Sequence, residues 1–305
     1  MDRRTFLKIK AQGALWLAGG CAGWIHPPDA SAAVVPDIAV AKGRPAAAAR
    51  AAVELLGGMG RFVKKGNRVL IKPNMSFAVP PERAANTHPE VIRELAVMCK
   101  EVGASKVSVL DNPLARGELC LEMSGIKAAC DLIDDQMVHI VDNDAMFQEV
   151  RIPEGRSLDS TDVMKEALRA DVLLAAPVAK SHSSAGVSLS MKGMMGLIYN
   201  RRALHWRDLN TGIVDLVSVL KADLTVIDAT RVLSTGGPGG PGRVLKKDTV
   251  IASADMVAAD AYVVSLFEWY GRFYQPSQVP HIREAHERGL GRMDVKNLTV
   301  RTVTV

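Results

Sequence analysis

Five times along this chain a short β-branched run stops on lysine, asparagine, aspartate or histidine and gives way to a loop or a helical pattern. The runs are Arg68 to Lys72, Lys106 to Leu110, Val172 to Val178, Leu224 to Ile227 and Thr249 to Ala252. Val138 to Val141 reads as a further strand. Between them lie apolar residues at helical spacing, such as Val91, Ile92, Leu95 and Met98. Strands that alternate with helices predict an α/β fold: a mostly parallel sheet with helices on both faces. Gln148 to Ile152 is expected as an antiparallel edge strand, and the alternating tail Leu298 to Val305 as another edge strand. No linker interrupts the pattern, so residues 33–305 are expected to form a single large domain, with a subdomain reading for residues 113–170.

In a parallel sheet, ligands sit at the carboxyl ends of the strands. Projecting the strand ends onto one edge gathers Lys72, Asn74, Asp111, Asn112, Lys180, His182, Asp228 and Asp255. The densest stretch runs from Val172 to Ile198. It reads as a buried strand to Val178, a polar turn Lys180-Ser181-His182-Ser183-Ser184, and a helix carrying Lys192 among glycines. Two lysines, a histidine and several serines in so short a span point to an anionic ligand. Lys180 and His182 are two apart and share a side in extended chain. A protonated lysine there would hold the imidazole neutral, suited to a base or a metal ligand. The competing reading is a histidine hydrogen-bonded to its own turn. Gly193 and Gly196 weaken a helix, and they let a backbone or ligand approach closely. Ser188 lies one turn before Lys192 and faces the same way.

The N-terminus carries an address. Arg3-Arg4-Thr5-Phe6-Leu7-Lys8 matches the twin-arginine export pattern, Ala11 to Trp24 is weakly hydrophobic, and Ala30-Ser31-Ala32 is a cleavage site. The apolar segment is shorter than the ~20 residues needed to span a bilayer. Residues 1–32 are therefore expected to be a signal peptide handled by the twin-arginine export machinery, leaving a soluble periplasmic protein. That route carries folded proteins, often with a cofactor already inserted. Cys99, Cys120 and Cys130 then remain, without CxxC or CxxCH spacing, so no iron–sulfur or haem motif is present. His88, His182 and His205 lack HxxxH or HxH spacing, which leaves a metal unassigned. Aromatics at 5% and a net charge of +5 weigh against a nucleic-acid partner. The loop Gly236 to Gly242 has neither phosphate-loop spacing nor enough donors, and reads as a lid or a plain turn. Thr87 and Glu90 read as a capping box.

Several pieces together resemble the family known as domain of unknown function 362. They are IKPNMS (71–76), THPEVIRELAVMCKEVGASKVSVLDNP (87–113), AKSHSSAGVSLSMKGMMGLI (179–198), DLTVIDAT (223–230) and IASADMVAADAYV (251–263). The resemblance implies that Lys180, His182, Lys192 and Gly196 are family positions, with Gly193 standing where an asparagine is usual. The layout also resembles, as an analogy of fold, the nickel-pincer lactate racemases. These readings lead to an exported enzyme acting on a small anionic substrate or cofactor, with Lys180, His182 and Lys192 catalytic. The alternative is a periplasmic binding or assembly partner of a redox enzyme.

Overall fold

The computed structural model describes residues 35–206 and 208–305; the expected signal peptide lies outside the described residues. Taken in chain order, β1 (Ile38–Lys42) leads into α1 (Pro45–Leu55), β2 (Arg68–Pro73), α2 (Pro89–Glu101) and β3 (Lys106–Asp111). Then come α3 (Gly117–Ser124), α4 (Ile126–Cys130), β4 (Val138–Ile140), β5 (Phe147–Arg151), β6 (Ser160–Met164) and α5 (Lys165–Arg169). The centre holds β7 (Val172–Ala176), β8 (Val178–His182), β9 (Gly186–Ser188), α6 (Ser190–Gly193), α7 (Arg201–His205) and α8 (Leu209–Val219). The chain closes with β10 (Leu224–Leu233), β11 (Val244–Ser253), α9 (Met256–Leu266), β12 (Glu268–Trp269), β13 (Arg272–Phe273), α10 (Pro280–Glu287) and β14 (Val300–Thr304).

Ten strands make one sheet, in the order β14-β1-β11-β10-β7-β2-β3-β4, with β8 beside β10 and β9 beside β8. The pairings β1–β14, β10–β7, β7–β2, β2–β3 and β3–β4 are parallel. Side chains alternate between faces, and each face is apolar. Leu70, Leu110, Leu173, Ile227 and Ile251 face the side that carries α8, α9 and α10. Val69, Ile71, Val109, Leu174 and Val250 face the side that carries α1 and α2. Strands covered on both faces read as continuous apolar runs, which is why Val172–Ala176 is buried throughout. The α/β class, the mostly parallel sheet and the helices on both faces are as the sequence predicts.

Several details differ. β11 is antiparallel to both β1 and β10, and it lies inside the sheet. The segment expected as an antiparallel edge strand pairs instead with Ser160–Met164, forming a separate two-stranded sheet. β14 is an edge strand, parallel to β1. The stretch before α1 contains the buried strand β1. The expected capping box is not made. His88 caps α2 by accepting the Glu90 amide at 3.2 Å, and Thr87 is turned into the sheet. Cys99, Cys120 and Cys130 are buried free thiols.

Candidate functional site

The site begins at a fork in the sheet. β7 runs beside β2 until Pro73 stands opposite Ala176. Pro177 follows, and a proline has no N–H to continue a ladder. Val178 opens β8, which keeps β10 on one edge and takes β9 on the other, with Lys180 opposite Ser188. The chain beyond β2 goes its own way, so the two branches separate. Side chains close the crotch. Asn74 Oδ1 accepts the Val178 amide at 3.0 Å, while Thr87 Oγ1 donates to the Ala176 carbonyl at 2.7 Å and accepts the Asn74 amide at 2.9 Å. Lys180, Ser181 and His182 are therefore strand residues and not a polar turn. Ser188 ends β9 and does not begin a helix.

Between the branches lies a cleft of about 270 Å³. Its floor is a buried ion pair, Lys72 Nζ to Asp111 Oδ1 at 3.1 Å. Apart from this ion-pair contact Oδ1 has no hydrogen-bond partner, whereas Oδ2 accepts the Met75 amide and the Ser76 hydroxyl. Gly196 lies against this pair. A Cβ there would stand 2.2 Å from Asp111 Oδ1 and 2.4 Å from Lys72 Cε, so only glycine fits. Asn112 holds that segment in place, its amide donating to the Gly196 carbonyl at 3.0 Å and its side chain to Ile198. Gly193 has no comparable crowding.

Two more lysines enter from the sides. Lys180 Nζ donates to the Ala85 carbonyl at 2.6 Å and sits 4.9 Å from the centre of the Phe77 ring. Burial lowers its pKa to about 7; Asp111 opposes the shift, and Lys192, Lys72 and Arg201 add to it. Lys192 is 8% exposed, and its nearest polar contact is the Met195 thioether at 3.5 Å. Burial, with Arg201 nearby, brings it to about 7 as well. α6 holds Lys192 in position because buried Asp260 accepts the Ser190 and Met191 amides and the Ser190 hydroxyl. Burial raises the Asp260 carboxyl to about 7 against those donors.

His182 Nδ1 accepts the backbone amides of Ser184 and Ala185. A neutral imidazole accepting at Nδ1 carries its proton on Nε2, so His182 offers a donor to the cleft. Burial first, then Lys192, His205 and Lys180, push its pKa to about 2. The expected roles of base and metal ligand require the other tautomer, and the two turn amides oppose it. The His205 ring stacks on His182 at 5.9 Å.

The structure thus brings Lys72, Asn74, Asp111, Lys180, His182, Ser188, Lys192 and Gly196 to one cleft, with Asn112 behind it. Asp228 is not among its lining residues. It accepts the His88 amide and pairs with Arg231 at 2.7 Å, because β10 continues to Leu233 instead of ending at Ile227. Asp255 is at the opposite edge, since it follows an antiparallel strand; there it caps α9 through Val257 and Ala258. Sequence reasoning missed Arg201 and Ser76, which line the cleft, and Asp260 beneath it. Arg201 Nη2 is buried without a hydrogen-bond partner. The glycine-rich loop forms a wall: Pro238 lines the cleft, the Gly237 amide donates to Ser181 Oγ, and Gly239 packs on Phe77.

Asp111 is the cleft's one carboxylate among the described residues, against Lys72, Lys180, Lys192, Arg201 and Arg202. Among the described residues no group of three His, Cys, Asp or Glu side chains is placed to hold a metal, and no helix is long and apolar enough to cross a membrane.

A family model described as domain of unknown function (DUF362) matches residues 69–265. The chain is 30% identical over 258 residues to a thylakoid-associated protein of Synechocystis sp., covering 80% of this chain and 75% of that protein. The lactate racemase apoprotein from Thermoanaerobacterium thermosaccharolyticum is similar at 15% identity and a TM-score of 0.48, over 74% of this chain and 56% of that one. With the family model spanning the strands that build the cleft, this chain belongs to the DUF362 family.

Proposed function

We propose that this protein is an exported enzyme acting on a small anionic substrate in the cleft at the fork. One observation carries the reading: buried lysines from β2, β8 and α6 and the half-buried Arg201 of α7 converge on a small space that holds a single carboxylate. An uncompensated buried charge is costly, so such an excess calls for an anion. Lysines with pKa values of about 7 give and take protons readily near neutrality, which suits acid–base work on the bound molecule. Lys192, without an oxygen partner, is the residue for that step. Lys180 and Arg201 neutralise charge, and His182 donates through Nε2. Export by the twin-arginine route rests on the Arg3-Arg4 leader pattern.

The test pairs ligand retention with turnover. Lys180→Met and Lys192→Met should each abolish retention of the native small molecule, measured by mass spectrometry of the purified protein. If both variants keep the ligand and the cellular phenotype, the reading is wrong. The redox-assembly alternative predicts co-purification with a partner at fixed stoichiometry, no turnover, and tolerance of His182→Ala. Replacing both Arg3 and Arg4 by lysine should hold the protein in the cytoplasm; periplasmic recovery of that variant would remove the export proposal.

A further inference from the structure

The charge balance of the cleft narrows the ligand class. Asp111 is committed to Lys72 at 3.1 Å. Lys180, Lys192 and Arg201 then face the space without a carboxylate of their own. They form one cluster. The charge on Lys180 responds to Asp111, Lys192, Lys72 and Arg201 together, and Lys192 responds to Arg201. Two separated carboxylates would call for two separated cation groups, whereas one cluster suits one compact, highly charged group. The hydroxyl of Ser188 stands among the cations as a further donor, whereas that of Ser76 is committed to Asp111. The buried Nη2 of Arg201 has no hydrogen-bond partner, and the Lys192 ammonium donates only to the Met195 thioether.

We propose that the ligand carries a doubly charged oxyanion group, of the phosphate or sulfate class, held jointly by Lys180, Lys192 and Arg201. This rests on the anion-site reading above and deepens it. Its consequence is proton uptake. At and above neutrality the two amines are only partly protonated in the free cleft. A dianion favours their ammonium forms, so protons pass from buffer to amine as it binds, and no covalent bond to the ligand forms. Of the other groups packed around the lysines, the Asp260 carboxyl, raised to about 7 by burial, titrates in the same range and contributes little near pH 8. His182 and His281 are held neutral by burial, the pKa of His205 is lowered by burial and by Lys192, and Asp111 is paired with Lys72.

Sulfate is the appropriate probe, because it stays doubly charged between pH 6 and pH 9 and any pH dependence belongs to the protein. Calorimetric titration of the wild-type protein should show one sulfate per chain, binding at least about tenfold more tightly than acetate. Affinity should fall about tenfold or more from pH 6.5 to pH 8.5, with about one proton taken up per sulfate near pH 8 in buffers of differing ionisation enthalpy. Lys192→Met and Arg201→Gln should each weaken sulfate binding about tenfold. If acetate binds as well as sulfate and no proton is taken up, while Lys192→Met still removes acetate binding, the dianion proposal falls and the anion site stands. Malonate binding more tightly than sulfate overturns the oxyanion class in favour of a dicarboxylate. If neither sulfate, acetate nor malonate binds, and Lys192→Met changes nothing in ligand retention, both the proposal and the site reading fall.

Discussion

Four aspartates, Asp111, Asp215, Asp228 and Asp260, are fully buried among the described residues, and Asp111 and Asp215 are treated in opposite ways. Asp215 accepts the backbone amides of Arg156, Ser157 and Leu158 and the Arg288 guanidinium at 2.7 Å. Burial pushes its carboxyl up, yet Arg288 and those amides together pull it below the ordinary range. The charge is fully matched, and the result is a clamp that ties the residue 154–158 loop to α8 and α10. Asp111 has one satisfied oxygen and one unsatisfied, in a cluster where cations outnumber it. A matched buried charge serves the fold. The charge of Asp111 is met by Lys72, and the cations left over around that pair are tolerated where the protein has a use for them.

That contrast can be broken in order of effect. Asp215→Ala should cost about 3–5 kcal/mol of stability by leaving Arg288 and the amides unpaired, and the folded fraction should bind sulfate as before. A loss of sulfate binding with stability intact would reverse the assignment. Gly196→Ala comes next. Its methyl group must displace Lys72 or Asp111, so denaturant unfolding should report a loss of about 1–3 kcal/mol together with weakened anion binding.

Lys192→Met sharpens the comparison, because removing an uncompensated buried cation should raise stability by about 1 kcal/mol while anion affinity falls. The pH dependence follows the same sign. The pKa values of Lys180 and Lys192 are lowered to about 7 on folding, so between there and the ordinary lysine range the unfolded chain binds more protons. Unfolding free energy without ligand should therefore rise from pH 7 toward pH 9.5, and rise less steeply in Lys192→Met. A flat profile would mean that the lysines are not desolvated. The smallest effect belongs to Asp255→Ala, which removes the α9 cap at the far edge. It should lower the melting temperature by the equivalent of about 1 kcal/mol and leave sulfate binding unchanged.

The comparison also shows what the amino-acid order could reveal. Strand ends were legible because buried parallel strands are apolar to their last residue, so Lys72, Asp111 and Lys180 stand out. Direction was not legible. Val244–Ser253 looks like any other strand, and only its antiparallel pairing sends Asp255 to the wrong edge. Asp228 misled for a related reason: β10 runs on past it, and Arg231 claims its charge. Lys180 and His182 read as a turn because the break at Pro177 is a change of neighbour rather than an end of strand. Arg201 was hidden in Tyr199-Asn200-Arg201-Arg202, a polar segment indistinguishable from a surface loop until α7 folds it over the cleft.

The fork has a mechanical consequence. In an unbroken sheet, each strand is braced by its neighbours along its whole length. Here that bracing between β2 and its neighbour stops at Pro73 opposite Ala176, and beyond this point the chain that follows Pro73 and the strand that carries Lys180 belong to separate prongs, tied at their root by Asn74 and Thr87. Whatever sits between those prongs stands where a row of ladder bonds would have been. An occupant becomes a rung, and the stiffness of this end of the sheet is set by what the cleft contains.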